Sequence, residues 1–202
     1  PPRSTLFPYT TLFRSLGKMH FHNEICPITI WLTGLPSSGK TTLGTGLKQL
    51  IFTTNINVIL LDGDEVRKSI CSDLGFSEND RSENIRRVAA IAKLMNDQGF
   101  VVICCFVSPL ISIREMAKQI IGEDRFCEVF VDAKVETCNK RDVKGLYKKA
   151  NSGIIKDLTG VSAPYENPVS PTIHINTDAL NIDQSLQLLY KGVLNFVSKL
   201  NH

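Results

Sequence analysis

The stretch from Ile28 to Leu47 constrains the fold of this 202-residue chain more than any other segment. It opens with a short apolar run rich in β-branched and aromatic residues, which predicts a buried strand, and its far end can continue as a helix. Between the two, Gly34 to Thr41 fit the pattern G-x-x-x-x-G-K-[ST] residue for residue. A loop of this kind directs backbone N–H groups and a helix N-terminus at phosphate oxygens. The stretch therefore predicts binding of a nucleoside triphosphate, with ATP as the expected ligand.

The residue types in this loop suit a polyphosphate and its metal ion. Lys40 is expected to reach the β- and γ-phosphates, and the hydroxyl of Thr41 is expected to hold Mg²⁺. A chance match in a loop of Gly and Ser is the alternative, and the flanking strand and helix patterns disfavour it. The residues predicted to contact ATP here are Gly34, Leu35, Pro36, Ser37, Ser38, Gly39, Lys40, Thr41 and Thr42.

Composition limits the remaining possibilities. One α/β domain fits the length, and a hydrophobic content of 43% is enough for a sizeable core. A net charge of +3 gives no reason to expect nucleic acid, and no apolar run reaches the roughly 18–20 residues of a membrane span. The six cysteines form no C-x-x-C pair, so we expect no zinc site and a reducing, cytoplasmic setting. Cys104 and Cys105 lie in an apolar run and are expected to be small core residues.

The first fifteen residues differ in character from the rest. They contain no acidic residue, are rich in Ser, Thr and Pro, and precede the first methionine, Met19. A transit peptide has a similar composition. However, Thr5 to Ser15 resembles the conceptual translation of a common sequencing-library adapter. We therefore treat residues 1–15 as an artefactual leader and expect residues 16–202 to form a single domain.

Two carboxylates follow the second predicted strand, Asn57 to Leu61. Asp62 and Asp64 flank a glycine at the carboxyl end of that strand, which in an open parallel sheet faces the ligand crevice. A lone Asp at such a place commonly caps a helix. Two of them, one strand after a phosphate loop, favour a functional site.

The remainder alternates predicted strands and helices. Ser77 is expected to cap a helix that carries Asn84 and Ile85. Further strands are predicted over Phe100 to Val107, Glu128 to Val131 and Thr172 to Ile175, and further helices over Ile113 to Ile121, from Glu136 to Arg141 onward, and over Ile182 to Leu200. This alternation predicts an α/β fold of three layers, a mainly parallel sheet with helices on both faces.

A basic, glycine-bearing segment, Lys144 to Gly153, precedes a loop that Gly and Pro punctuate. In a nucleotide kinase such a segment suits a lid over about 144–168 that closes on phosphates. A solvated helix would account for Lys148 and Lys149 equally well. His174 alternates with isoleucines in the late strand and is expected to be structural.

Seven segments of the chain together resemble the adenylylsulfate kinase (APS kinase) family in order and spacing. They cover about Ile28 to Pro168 and read GLPSSGKTT, LDGDEVR, LGFSENDRSENIRR, FVSP, EVFVDA, RDVKGLYKKA and TGVSAPYENP. The resemblance implies a P-loop kinase fold with a lid. It also implies transfer of the γ-phosphoryl group of ATP to the 3′-hydroxyl of adenosine 5′-phosphosulfate (APS), giving 3′-phosphoadenosine 5′-phosphosulfate and ADP. A homodimer is expected.

The same resemblance implies roles for individual residues. Asp64 would orient and deprotonate the 3′-hydroxyl, and Asp62 would share Mg²⁺ with Thr41. Ser108 stands where the family has a phosphoserine intermediate, but we favour direct transfer, since positioning, Mg²⁺ and Lys40 already supply what phosphoryl transfer requires. Arg141 would lie over the adenine of ATP. The residues implied to bind APS are Asp64, Glu65, Val66, Arg67, Phe76, Arg81, Asn84, Val107, Ser108, Lys144 and Leu158.

The chain departs from the family pattern in three places. Pro36-Ser37 replaces the more usual Ser-Gly or Ser-Ala, Glu65 stands where Asn is common, and Leu158 stands where Phe is usual. Leu158 removes one presumed stacking face for the acceptor's adenine. A P-loop kinase of a different small-molecule acceptor and a non-catalytic nucleotide-binding protein remain the alternatives. The presence of Lys40, Thr41, Asp64 and Lys144 disfavours the second.

Overall fold

The structure is a computed structural model that describes residues 27–200. Its strands are β1 (Thr29–Thr33), β2 (Val58–Asp62), β3 (Val101–Cys105), β4 (Phe126–Asp132) and β5 (Ile173–Asn176). Its helices are α1 (Lys40–Phe52), α2 (Gly63–Lys68), α3 (Glu78–Asp97), α4 (Ile111–Ile121), α5 (Val135–Arg141), α6 (Leu146–Asn151) and α7 (Ile182–Leu200), with a 3₁₀ turn at Glu123–Arg125. The leader predicted over residues 1–15 lies outside the described residues.

The five strands form one parallel sheet in the order β2-β3-β1-β4-β5. In the centre, Trp31 of β1 is opposite Cys104 of β3 on one side and Glu128 of β4 on the other. Because all strands run the same way, their carboxyl ends meet at one edge of the sheet. The loop from Gly34 to Gly39 leaves β1 at this edge, and Asp62 ends β2 there.

Helices cover both faces of the sheet, as predicted. Ile30 and Leu32 of β1 point to the face covered by α1 and α7, whereas Trp31 points to the face covered by α3 and α4. Trp31 is fully buried between Phe106 and Phe126, with ring centroids 5.6 and 5.7 Å away. The prediction of three layers around a mainly parallel sheet is therefore confirmed.

Several element bounds differ from the sequence prediction by one or two residues, and two strands differ for a clear structural reason. The strand predicted over Phe100 to Val107 pairs only over Val101–Cys105, because β2 ends at Asp62, directly opposite Cys105. In contrast, β4 extends beyond Glu128 to Val131 in both directions, since β1 and β5 pair with it on either side. Helix α7 has the predicted bounds.

Local signals account for the helix ends that matter to the site. Ser77 caps α3 as predicted, with its hydroxyl accepting from the Asp80 amide at 3.2 Å.

Cys104 and Cys105 are buried core residues, as expected. The cysteines within residues 27–200 are all buried free thiols. In the same range, no helix is long and apolar enough to cross a membrane.

Candidate functional site

The loop between β1 and α1 has the backbone geometry of a phosphate cradle. Gly34 passes so close to β4 that a Cβ atom there would lie 2.3 Å from the carbonyl oxygen of Val131, so only glycine fits. Gly39, at φ +109°, turns the chain into the N-terminus of α1. Ser37 also adopts a left-handed conformation, at φ +62°, which costs a non-glycine residue some strain.

Lys40 lies under this loop. Its ammonium group donates to the carbonyl oxygens of Gly34 and Leu35, at 3.0 and 2.8 Å. Burial lowers the pKa of the Lys40 side chain to about 8. The lysine is therefore a buried charge at the end of the loop, and an anion bound there would favour its charged form.

The two predicted magnesium ligands lie together. The hydroxyl of Thr41 donates to Oδ2 of Asp62 at 2.7 Å, and Oδ1 of Asp62 accepts from the amide of Asp64 at 3.0 Å. Asp62 thus caps α2 and also reaches Thr41, and its role as a metal ligand stays a prediction. Hydroxyl and carboxylate oxygens are the ligands that Mg²⁺ prefers.

A second cluster, formed by Arg67, Phe76 and Arg81, lies between α2 and the start of α3. The Phe76 ring is 64% exposed, with the guanidinium carbons of Arg67 and Arg81 at 4.5 and 5.8 Å from its centroid. Burial and the like charge of Arg81 lower the pKa of the Arg67 guanidinium. Neither arginine forms an ion pair with a carboxylate among residues 27–200. An exposed aromatic face beside two such cations suits an aromatic anion.

Asn84, one turn along α3 from Arg81, strengthens this interpretation. Its side chain is 4% exposed, and its Oδ1 atom has no hydrogen-bond partner within the described part of the chain. Such buried polar atoms are uncommon and call for an explanation. A ligand that donates a hydrogen bond here would satisfy it.

Arg81 and Lys144 connect the lid to the rest of the site. Arg81 donates to the hydroxyl of Thr159 at 3.1 Å and to the carbonyl of Asp157 at 2.7 Å. Lys144 forms an ion pair with the carboxylate of Asp64, and both side chains remain about half exposed. The structure therefore brings the start and the middle of the lid onto predicted site residues.

Ser108 is almost inaccessible to solvent in this structure. The residue is buried, at φ +37°, and its hydroxyl accepts a 3.1 Å hydrogen bond from the indole N–H of Trp31. The preceding carbonyl, of Val107, accepts from the hydroxyl of Thr33 at 2.7 Å. Sequence analysis identified Ser108 and Val107 but missed Trp31 and Thr33, which lie in an ordinary core strand pattern.

Leu158 lies within the lid segment and packs against its other apolar residues. It is 6% exposed and belongs to a small apolar cluster with Ala133, Cys138 and Tyr147. The hydroxyl of Tyr147 donates to the carbonyl of Pro36 at 3.0 Å, which ties the lid to the phosphate loop. The predicted contact between Leu158 and the acceptor's adenine stays a prediction, and the cluster leaves only a small part of this side chain accessible.

Of the remaining predicted residues, Arg141 contacts the phosphate loop, whereas the side chains of Glu65 and Val66 have other partners. Arg141 reaches the phosphate loop, donating to the carbonyl of Ser38 at 3.3 Å and to that of Thr177 at 2.7 Å. Thr177, which sequence analysis missed, follows β5 and also donates to Ser38. In contrast, the Glu65 side chain pairs with Lys68 at the surface, and Val66 packs into the core.

The parallel sheet and the phosphate loop define a P-loop kinase, and the cluster of Arg67, Phe76 and Arg81 is a candidate for its second site. The sequence profile described as adenylylsulphate kinase matches residues 26–176. This chain belongs to the adenylylsulfate kinase family.

Individual relatives agree with this assignment. The adenylyl-sulfate kinase of Enterobacter sp. (strain 638) is 44% identical over 182 residues, covering 90% of this chain and 89% of that protein. The Mycobacterium tuberculosis APS kinase CysC, solved in complex with AMPPNP and APS, superposes with a TM-score of 0.79 at 35% identity, covering 87% and 99%. A hexameric APS kinase from Thiobacillus denitrificans gives 0.65 at 27% identity, covering 85% and 29%.

Proposed function

We propose that this chain transfers the γ-phosphoryl group of ATP to the 3′-hydroxyl of APS, producing 3′-phosphoadenosine 5′-phosphosulfate and ADP. Family membership supports this activity. The observation that carries the acceptor assignment is the exposed Phe76 ring beside the guanidinium groups of Arg67 and Arg81. An adenine carrying a 5′-phosphosulfate combines an aromatic ring with an anion, which is the chemistry this cluster matches.

The ATP half of the site consists of the phosphate loop and its neighbours. The loop amides and Lys40 bind the polyphosphate, and Arg141 covers the adenine from α5. Thr41 and Asp62 supply oxygen ligands that fit Mg²⁺, and they are proposed to hold it. The ion supplies neutralisation of phosphate charge when it is bound.

In the acceptor half, Phe76 stacks on the adenine and three polar side chains bind the phosphosulfate. Arg67 and Arg81 provide the positive charge, and Asn84 donates to the phosphosulfate from its amide nitrogen. Its Oδ1 atom would accept from a donor elsewhere on the nucleotide, such as a ribose hydroxyl. The backbone of Glu65 and Val66 follows Asp64 along α2, and we propose that it borders the same space. Val107, Ser108 and the accessible edge of Leu158 complete the proposed lining.

Asp64 is proposed to accept the proton of the 3′-hydroxyl as that oxygen bonds to the γ-phosphorus. The bond from the γ-phosphorus to the β,γ-bridging oxygen breaks, and ADP leaves with the electron pair. Lys144 is paired with the Oδ2 atom of Asp64 here, so the proton would go to the other carboxylate oxygen, or to Oδ2 once Lys144 turns toward the phosphosulfate. The buried, hydrogen-bonded hydroxyl of Ser108 supports direct transfer rather than a phosphoserine.

ADP release measured with and without APS tests this function. We expect release that depends on APS and yields the 3′-phosphorylated product, and no turnover in Lys40→Ala, because the phosphates lose their cation. ADP release with another hydroxyl compound but not with APS would assign a different acceptor. Nucleotide binding without turnover would refute the kinase assignment.

Ser108→Ala separates the two transfer routes. Direct transfer predicts a partial decrease in kcat, whereas an obligate phosphoserine predicts loss of all activity and labelling of the protein by γ-labelled ATP. A homodimer and a cytoplasmic setting stay predictions, and sedimentation of the full chain tests the first.

A further inference from the structure

Arg114 is a buried cation that the proposed mechanism does not use. It lies on α4, on the face of the sheet that carries Trp31, and is 2% exposed. Its Nε atom donates to the carboxylate of Glu128, on β4, at 2.9 Å. This ion pair balances the charge of Arg114, but it uses only one of the five N–H groups of the guanidinium.

The other two nitrogens reach two separate parts of the site. Nη1 donates to the carbonyl oxygen of Ser108 at 2.8 Å, and Nη2 donates to the carbonyl oxygen of Glu166 at 2.8 Å. Ser108 belongs to the loop after β3, and Glu166 lies at the end of the lid. One planar side chain therefore fixes both backbone segments relative to each other.

The lid end has further contacts at the same place. The amide of Glu166 donates to the carbonyl of Pro109 at 2.8 Å, and its carboxylate accepts from the amide of Ile111, at the start of α4, at 2.7 Å. The hydroxyls of Tyr165 and Thr33 are hydrogen-bonded at 3.0 Å. The end of the lid is thus anchored on the loop that contains Ser108.

Ser108 needs such support because of its backbone. At φ +37° it occupies a conformation that is costly for a residue with a Cβ atom, and such a conformation persists only where the surroundings impose it. The bond from Arg114 to the Ser108 carbonyl and the bond from Trp31 to its hydroxyl supply that constraint.

We propose that Arg114 is a positioning residue for phosphoryl transfer, which holds the Ser108 backbone and the lid end at Glu166 in one arrangement. The inference rests on the proposed function, since Ser108 and the lid border the acceptor there. Lysine cannot replace this arginine. Its single nitrogen has no planar fork with which to serve Glu128, Ser108 and Glu166 at once.

Two variants test this role, so that the proposal stays testable if one of them fails to fold. Arg114→Lys keeps the buried charge but loses the fork. The double variant Arg114→Met/Glu128→Leu removes both charges together, so that no buried ion is left unpaired. For both we expect at least a tenfold lower kcat at saturating substrates, and a KM for ATP within twofold of wild type.

Leu189→Ala is the matched control, because it destabilises the opposite face of the sheet. Assays are run well below the melting temperature of every variant. We expect the control to keep its kcat although it melts earlier. A kcat within twofold of wild type in both Arg114 variants, or an equal loss in the control, would overturn the proposal.

Hydrogen exchange supplies a readout that does not depend on activity. We expect the amide of Glu166, now bonded to Pro109, to exchange at least tenfold faster in the Arg114 variants and unchanged in Leu189→Ala. Unchanged exchange in the Arg114 variants would refute the anchor. If the wild-type chain showed no APS-dependent ADP release, the proposed function would fail, and the exchange result alone would decide on the anchor.

Discussion

At the scale of single residues, Lys40 couples nucleotide binding to pH. Burial lowers the pKa of its ammonium group to about 8, and the phosphates of a bound nucleotide would raise it again. At a pH between these two pKa values, Lys40 has lost its proton in the free protein but keeps it in the complex. Binding should therefore take up a proton, and affinity should weaken by up to about tenfold per pH unit above pH 8.

Titration calorimetry with a non-hydrolysable ATP analogue, without added metal, at pH 7 to 9.5 measures this effect. Lys40→Arg is the control, because a guanidinium stays charged throughout the range. A Kd for the wild type that does not change with pH would contradict the prediction.

Asp64 is the second residue whose role can be isolated. Asp64→Asn keeps the shape of the side chain but cannot accept a proton, and general-base catalysis is typically worth about 10²–10⁴-fold. We expect kcat to fall by that order while the affinity for ATP changes little. A parallel loss of ATP affinity would instead indicate that Asp64 helps to hold the metal ion.

The residues of the site differ in how far the sequence could reveal them. Gly34 to Thr42 and the pair Asp62 and Asp64 follow local spacing, so their types alone indicate the chemistry. Trp31 and Arg114 act through Ser108, and Trp31 is 77 positions away from it in the chain. Trp31 matches a core pattern, and nothing in the sequence indicates that Arg114 is buried, so only the folded chain shows which polar groups they contact.

At the scale of elements, the lid is where the structure adds most to the prediction. A basic, glycine-bearing segment predicted a lid, and α6 forms within it between Leu146 and Asn151. The sequence did not indicate that Tyr147 would bury itself against the phosphate loop. Two lysines follow it directly in the sequence, and its partner Pro36 lies 111 positions earlier.

Leu158→Phe tests the lid prediction with two readouts on one protein. The larger ring would overpack the cluster around Tyr147, so we expect the free energy of unfolding to fall by about 1–3 kcal/mol. If the edge of this residue also meets the acceptor's adenine, added stacking should lower the KM for APS by about fivefold and leave that for ATP unchanged. Lower stability with an unchanged KM for APS would show that Leu158 serves only the lid's own packing.

At the scale of the whole molecule, alternation of strands and helices was enough to predict a parallel sheet between two helical layers. The strand order was not predictable in the same way. β1 lies between β3 and β4 because of pairings between segments about 70 and 97 positions apart, such as Thr29 with Val102 and with Phe126. Hydrophobic periodicity reports which face of a strand is buried but not which strand lies beside it.

Because the site lies at one edge of the sheet, we expect a substitution in the core beneath one helical layer to lower stability without lowering kcat. The site lies at the carboxyl edge of the sheet, whereas Leu189 is fully buried among α1, α7 and the strands. Leu189→Ala should lower the free energy of unfolding by about 2–5 kcal/mol, through lost burial and the cavity left behind. For a chain of this size that corresponds to a melting temperature lower by about 4–20 °C.

Leu188, the preceding residue on α7, is 40% exposed and provides the control. Leu188→Ala should change stability by no more than about 0.5 kcal/mol. Since the core cluster around Leu189 includes no residue of the phosphate loop or the lid, and Leu188 is exposed on the same helix, both variants should keep kcat within about twofold at 25 °C. Denaturant titrations and ADP release, measured on the same preparations, separate the two effects. A large loss of kcat in Leu189→Ala while the protein is still folded would mean that the core behind β1 sets the geometry of the phosphate loop.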